Sequence, residues 1–93
     1  MSESLFAVKN DITTAFIDAL YREVDFLMEE GTTELTLDME EVNVIDSTGI
    51  GFIIRLQNSL KEKGGALKLC SVNEDIVKMM KIMRLDNHFT IEG

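Results

Sequence analysis

The chain has 93 residues, 45% of them apolar and 28% charged, with a net charge of −8 at neutral pH. That size supports one hydrophobic core and not two, so residues 1–93 are expected to form a single domain. The acidic balance repels a phosphate backbone or an anionic lipid surface and argues against nucleic-acid binding; the lone Cys70 excludes an internal disulfide and a thiolate-rich zinc cage; and no apolar run approaches the roughly 20 residues that cross a bilayer. Met1 to Asn10 lacks the basic start and apolar block of a signal peptide, so a cytoplasmic location is expected.

Leu5-Phe6-Ala7-Val8 is a short apolar run fit for a strand, and it stops at Asn10-Asp11. A helix is predicted to begin at Thr13 or Thr14. Ile17, Leu20, Val24, Leu27 and Met28 follow its 3–4 spacing, and Gly31 ends it in the position after the last turn that glycine favours. Asp11 reads either as a turn residue or as the cap of this helix. Glu34 to Asp38 alternates polar and apolar, the pattern of a strand with one buried face.

After Met39-Glu40-Glu41, the run Val42 to Ile45 reads as a further short strand, continuous with Leu37 beyond a bulge or kink. It gives way at once to Asp46-Ser47-Thr48-Gly49-Ile50-Gly51. Asp46, Ser47 and Thr48 all favour the N-cap, and a second helix is predicted from about Ser47 to Lys63. Ile50, Ile53, Ile54, Gln57 and Leu60 form its apolar stripe, while Phe52 projects from a flank beside Leu56, either under a loop or toward a partner. Glycine inside a helix costs roughly 1 kcal/mol relative to alanine. Two in one opening turn need a reason, and the reading here is access: without side chains at Gly49 and Gly51, the backbone and Ser47 Oγ can be approached closely by a phosphate or a partner.

Gly64-Gly65 stops the second helix, and Ala66 to Cys70 is another strand. Asn73 caps a third helix with Glu74 and Asp75 in its first turn, and Ile76, Met79, Met80 and Met83 form its stripe. His88 to Ile91 closes the chain as a last strand. The order β-α-β-α-β-α-β implies an α/β domain with a small, largely parallel sheet flanked by helices. On such sheets ligands meet the carboxyl ends of the strands, where Ser47 is expected to lie.

Ser47 either caps a helix or carries chemistry. A phosphoryl group there would add roughly −1.5 to −2 charge beside Asp46 without unfolding the helix. The fold would survive while an interface for an anion-accepting partner would fail. Catalysis is disfavoured, because the G-x-S-x-G elbow is absent and His88 is the only histidine. There is no calcium-loop spacing and no His/Cys metal set, so no cofactor is expected.

Asp46 to Gly51 resembles the signature of the STAS domain family, in particular the bacterial anti-anti-sigma factors, or anti-sigma factor antagonists. Leu35 to Met39, Gly64 to Leu69, Met83 to Ile91, and Asp11 with Thr14 and Ala15 are similar to other family segments, so the likeness covers nearly the whole chain. The resemblance implies partner switching. The unmodified domain would bind a serine-kinase anti-sigma factor of the histidine-kinase-like ATPase fold, the kinase would inactivate it by phosphorylating Ser47, and a PP2C-type phosphatase would reverse this. Asp11, Asp46, Thr48, Gly49, Ile50, Gly51 and Phe52 would line the docking surface, with Thr48 a second hydroxyl open to modification. The family also implies an alternative, a STAS accessory subunit of a membrane transporter or signalling assembly that is never phosphorylated. The chain departs from the family in opening with one short strand where a β-hairpin is usual.

Overall fold

The computed structural model describes residues 2–93, and its architecture follows from four strands that alternate with three helices. The strands β1 (Glu3–Ala7), β2 (Glu34–Asp38), β3 (Ala66–Cys70) and β4 (Thr90–Ile91) lie in the order β1-β2-β3-β4, every neighbour parallel. Between them run α1 (Ile17–Glu29), α2 (Ser47–Glu62) and α3 (Glu74–Ile82). Strands placed side by side in chain order, joined by crossovers of one hand, carry all their helices on one face. Burial agrees. Leu35, Leu37, Leu67 and Leu69 lie under the helices, while Leu5, Lys68 and Thr90 are exposed on the other face of the sheet.

Local chemistry sets most boundaries where the sequence places them. Asn73 Oδ1 accepts the Ile76 amide at 2.9 Å and caps α3. Gly31 and Gly64 take positive φ just after α1 and α2, and a side chain at Gly65 would run into the Thr33 backbone.

Five expectations need correction. The first helix starts at Ile17, not Thr13 or Thr14, because residues 14–16 form a turn and Phe16, which has no side-chain cap to offer, opens the helix. Residues 42–45 are not a strand. Val42 and Ile45 are buried with Val44 turned outward, which breaks the alternation, and Ile45 alone bridges to Ile12. The last strand shrinks to Thr90–Ile91, preceded by a 3-10 turn at Leu85–Asn87. In α2, Ile54 is on the exposed side while Phe52 is 2% exposed, its ring edge-on to Tyr21 of α1 at 4.6 Å. The helix lies against both the sheet and α1, so its apolar arc spans about 160° from Phe52 to Ile50 at 100° per residue, wider than a single stripe. Met83, expected in the α3 stripe, is exposed, since α3 ends at Ile82 and the chain turns away there.

Candidate functional site

Three loops meet at the carboxyl edge of the sheet: residues 8–16 after β1, 39–46 after β2 and 71–73 after β3. The middle loop has no strand partner for most of its length, so its polar groups are satisfied from its neighbours. Asp11 Oδ1 accepts the amides of Asn43 at 2.8 Å and Val44 at 3.1 Å, the Ile12 amide donates to Val44 O, and Asn73 Nδ2 donates to Val42 O. Asp11 is therefore a tie between loops and not the cap of α1.

The loop ends at Asp46, whose carboxylate joins two elements. Oδ1 accepts the Gly49 amide at 2.9 Å, an N-cap for α2. Oδ2 accepts the Thr14 amide at 3.0 Å, and the Thr14 hydroxyl lies 3.1 Å from both that oxygen and Thr48 Oγ1. These donors, the Thr14 amide first and the Gly49 amide next, stabilise the charged carboxylate and hold its pKa below the usual aspartate value.

Ser47 is the first residue of α2, and its neighbours explain its position. Asp46 takes the cap, so Ser47 is released from that duty; its hydroxyl is exposed and has no hydrogen-bond partner among the described residues. Thr48 is also exposed, but its hydroxyl oxygen is engaged by Thr14. Of the two adjacent hydroxyls, Ser47 alone is unencumbered.

The two glycines have different jobs. Gly51 has open space where a side chain would stand, consistent with close approach from outside. Gly49 is buried, and a Cβ there would run into the Ile12 carbonyl oxygen and the side chains of Ile12 and Ile45. The access reading is thus corrected at Gly49: the missing side chain lets the fold's own backbone come close, and its amide is already taken by Asp46. The α2 N-terminus is not a vacant phosphate cradle, since a carboxylate of the chain occupies it.

The structure brings Asp11, Asp46, Ser47, Thr48, Gly49 and Gly51 to one corner. Three residues of the expected docking surface are buried: Gly49 against Ile12, and Ile50 and Phe52 in the core at 8% and 2% exposure. The structure adds two outside the expected docking residues, Thr14, read from the sequence as a helix start, and Val44, read as part of a strand. Thr14 joins α1's loop to Asp46 and Thr48, and Val44, 51% exposed, stands on the loop leading to Ser47. Among the described residues no group of three or more His, Cys, Asp and Glu side chains is arranged to hold a metal ion, and no helix is long and apolar enough to cross a membrane.

A family model of the STAS domain matches residues 2–93. The anti-sigma-B factor antagonist of Bacillus subtilis (strain 168) is 32% identical over 67 residues, which are 72% of this chain and 61% of that protein. A Thermotoga maritima protein provisionally named an anti-sigma factor antagonist is 29% identical over 62 residues, 67% of this chain and 55% of that one. The chain therefore spans less than two thirds of the length of these relatives, 61% and 55%. Its fold matches a crystal structure of a Thermotoga maritima protein with the same provisional name, at a TM-score of 0.90 and 22% identity over 98% of this chain and 79% of that one. It also matches a sulfate transporter family protein from Wolinella succinogenes, at a TM-score of 0.81 and 20% identity over 97% and 75% of the two chains.

Proposed function

This chain belongs to the STAS domain family, and from that premise we propose that it is an anti-sigma factor antagonist of the cytoplasm, switched by phosphorylation of Ser47. It acts by binding and not by catalysis. The unmodified corner formed by Ser47, Thr48, Gly51 and Val44 docks on an anti-sigma factor that is also a serine kinase of the histidine-kinase-like ATPase fold. Transfer of a phosphoryl group to Ser47 Oγ ends that binding, and a PP2C-type phosphatase restores it.

The observation that supports this reading best is the exposed hydroxyl of Ser47, without a hydrogen-bond partner among the described residues, beside a carboxylate whose pKa is lowered by the amides of Thr14 and Gly49. A dianionic group added there meets like charge at Asp46, which its hydrogen bonds to Thr14 and Gly49 keep from swinging away. The helix itself tolerates the addition, because negative charge at its first turn suits the dipole. The modified surface then repels any partner that accepts Asp46 as its anion. Asp11 and Asp46 enter the mechanism as fixed groups that shape the corner, and Gly51 as the place where partner backbone comes near.

The test uses a purified serine-kinase anti-sigma factor of the histidine-kinase-like ATPase fold, sought among the proteins encoded near this chain. Its affinity for the wild-type protein should fall at least tenfold with Ser47→Asp and should persist with Ser47→Ala, which removes the acceptor without adding charge. Equal affinity for the wild type and Ser47→Asp would contradict the charge mechanism.

A further inference from the structure

The charges of this chain are divided unevenly along it, and the fold converts that division into opposite ends of the molecule. Residues 1–46 hold twelve of the seventeen acidic side chains and two of the nine basic ones; residues 47–93 hold five and seven. Because the strands lie in chain order, β1, α1 and β2 make one half of the sheet and its cover, and α2, β3, α3 and β4 make the other. The first half carries all of the net negative charge.

Each half also presents an apolar feature with no counterpart in its own chain. In the acidic half, a cleft of about 140 Å³ opens between the outer edge of β1 and α1, walled by Phe6, Val8, Phe16 and Leu20, with Glu23, Asp11 and Lys9 at its rim. Phe16 at its mouth is 42% exposed, and the outer edge of β1 pairs with no strand among the described residues. An apolar cavity of about 150 Å³ takes up a benzene-sized group. In the other half, Lys81-Ile82-Met83-Arg84 forms the tip of α3, where Ile82 is 82% exposed and Met83 47%, flanked by the two cations and further back by Lys78, itself paired to Glu74. Arg84 sits at φ 60°, a left-handed turn that bends the chain away and leaves Ile82 standing clear.

We propose that the α3 tip of one copy of this chain seats in the β1–α1 cleft of the next, giving head-to-tail self-association. Ile82 fills the cleft while Lys81 and Arg84 face the acidic half around Glu23. Two dissimilar patches on one molecule make a heterologous contact, which propagates into open chains unless the rotation happens to close a ring. Copies with a net charge of −8 repel one another at long range, so association strengthens when salt first screens that repulsion and weakens when salt screens the local pairs.

The experiment is sedimentation equilibrium of the purified chain from micromolar to millimolar concentration. The average mass should rise with concentration from the monomer's 10.5 kDa without stopping at a dimer. Ile82→Asp and Phe16→Asp, both surface changes, should each hold the protein at the monomer mass. An equimolar mixture of the two should reach about twice that mass and stop, since one variant keeps an intact cleft and the other an intact tip. A wild type that stays monomeric throughout, a dimer insensitive to Ile82→Asp, or two monomeric variants that fail to pair when mixed would each overturn the proposal; the first would leave cleft and tip to partners other than a second copy.

Discussion

The first turn of α2 and the three turns after it belong to one helix but are held in different ways. From Ile50 onward the helix is fixed by apolar burial, with Phe52 against Tyr21 and Ile53, Leu56 and Leu60 against the sheet. The first turn is fixed by directed polar ties to the Asp46 carboxylate, one from the Thr14 amide thirty-two residues upstream and one from the Gly49 amide three residues on. Burial is strong and nonspecific in direction; hydrogen bonds to an exposed turn are weak but orient it. A surface that must be read by a partner and altered by one group needs the second kind, mounted on the first.

Mutations that separate the two kinds should differ in size and in what they change. Phe52→Ala empties the seam with α1 and should destabilise the domain by about 3–5 kcal/mol. Denaturant unfolding measures this, and any loss of partner binding should vanish once the folded fraction is corrected for. Gly49→Ala presses a methyl group onto the Ile12 carbonyl and should cost about 1–3 kcal/mol as overpacking does. Gly51→Ala, two residues on, should instead stabilise by up to about 1 kcal/mol, since alanine is the better helix former and space is free. It should also weaken partner binding, so stability and affinity move in opposite directions at Gly51 and together at Gly49.

The polar turn should show itself most clearly in acid. Asp46 is a stronger acid in the folded chain than in the unfolded one, so its contribution is complete above the ordinary carboxylate pKa of about 3.9 and is lost as pH falls through the lowered folded value. The stability difference between wild type and Asp46→Asn should be constant from neutral pH down to about pH 5 and shrink below about pH 4. A difference unchanged across that range would mean that the charge on Asp46 does not hold the turn.

The same contrast explains what could be read in the sequence. The apolar body was legible: the periods of 2 and 3.6 alternate along the chain, and Gly31, Gly64 and Asn73 mark three of the helix ends, whereas the start of α1 at Phe16 carries no cap to mark it. Phe52 was misread because one narrow stripe was assumed for a helix that packs on two neighbours. Residues 42–45 imitated a strand because Val42, Val44 and Ile45 are β-branched and apolar, whereas their backbone partners are the Asn73 side chain at Val42, the Asp11 carboxylate at Asn43 and Val44, and Ile12 at Val44 and Ile45, groups that no local pattern reveals. At the site, Asp46 and Ser47 stood out by type and spacing. What assigns the cap to one and leaves the other free is Thr14, thirty-two residues upstream of Asp46, and a pairing at that distance has no periodicity to announce it.

The central claim is that the Ser47 hydroxyl is the switch, and intact-mass analysis of the protein isolated from its own cells tests it most directly. A fraction heavier by one phosphoryl group should be present in some growth or stress condition, disappear on phosphatase treatment, and be absent from Ser47→Ala while surviving in Thr48→Val. A protein that never carries the added mass, or one that keeps it in Ser47→Ala, would contradict the account.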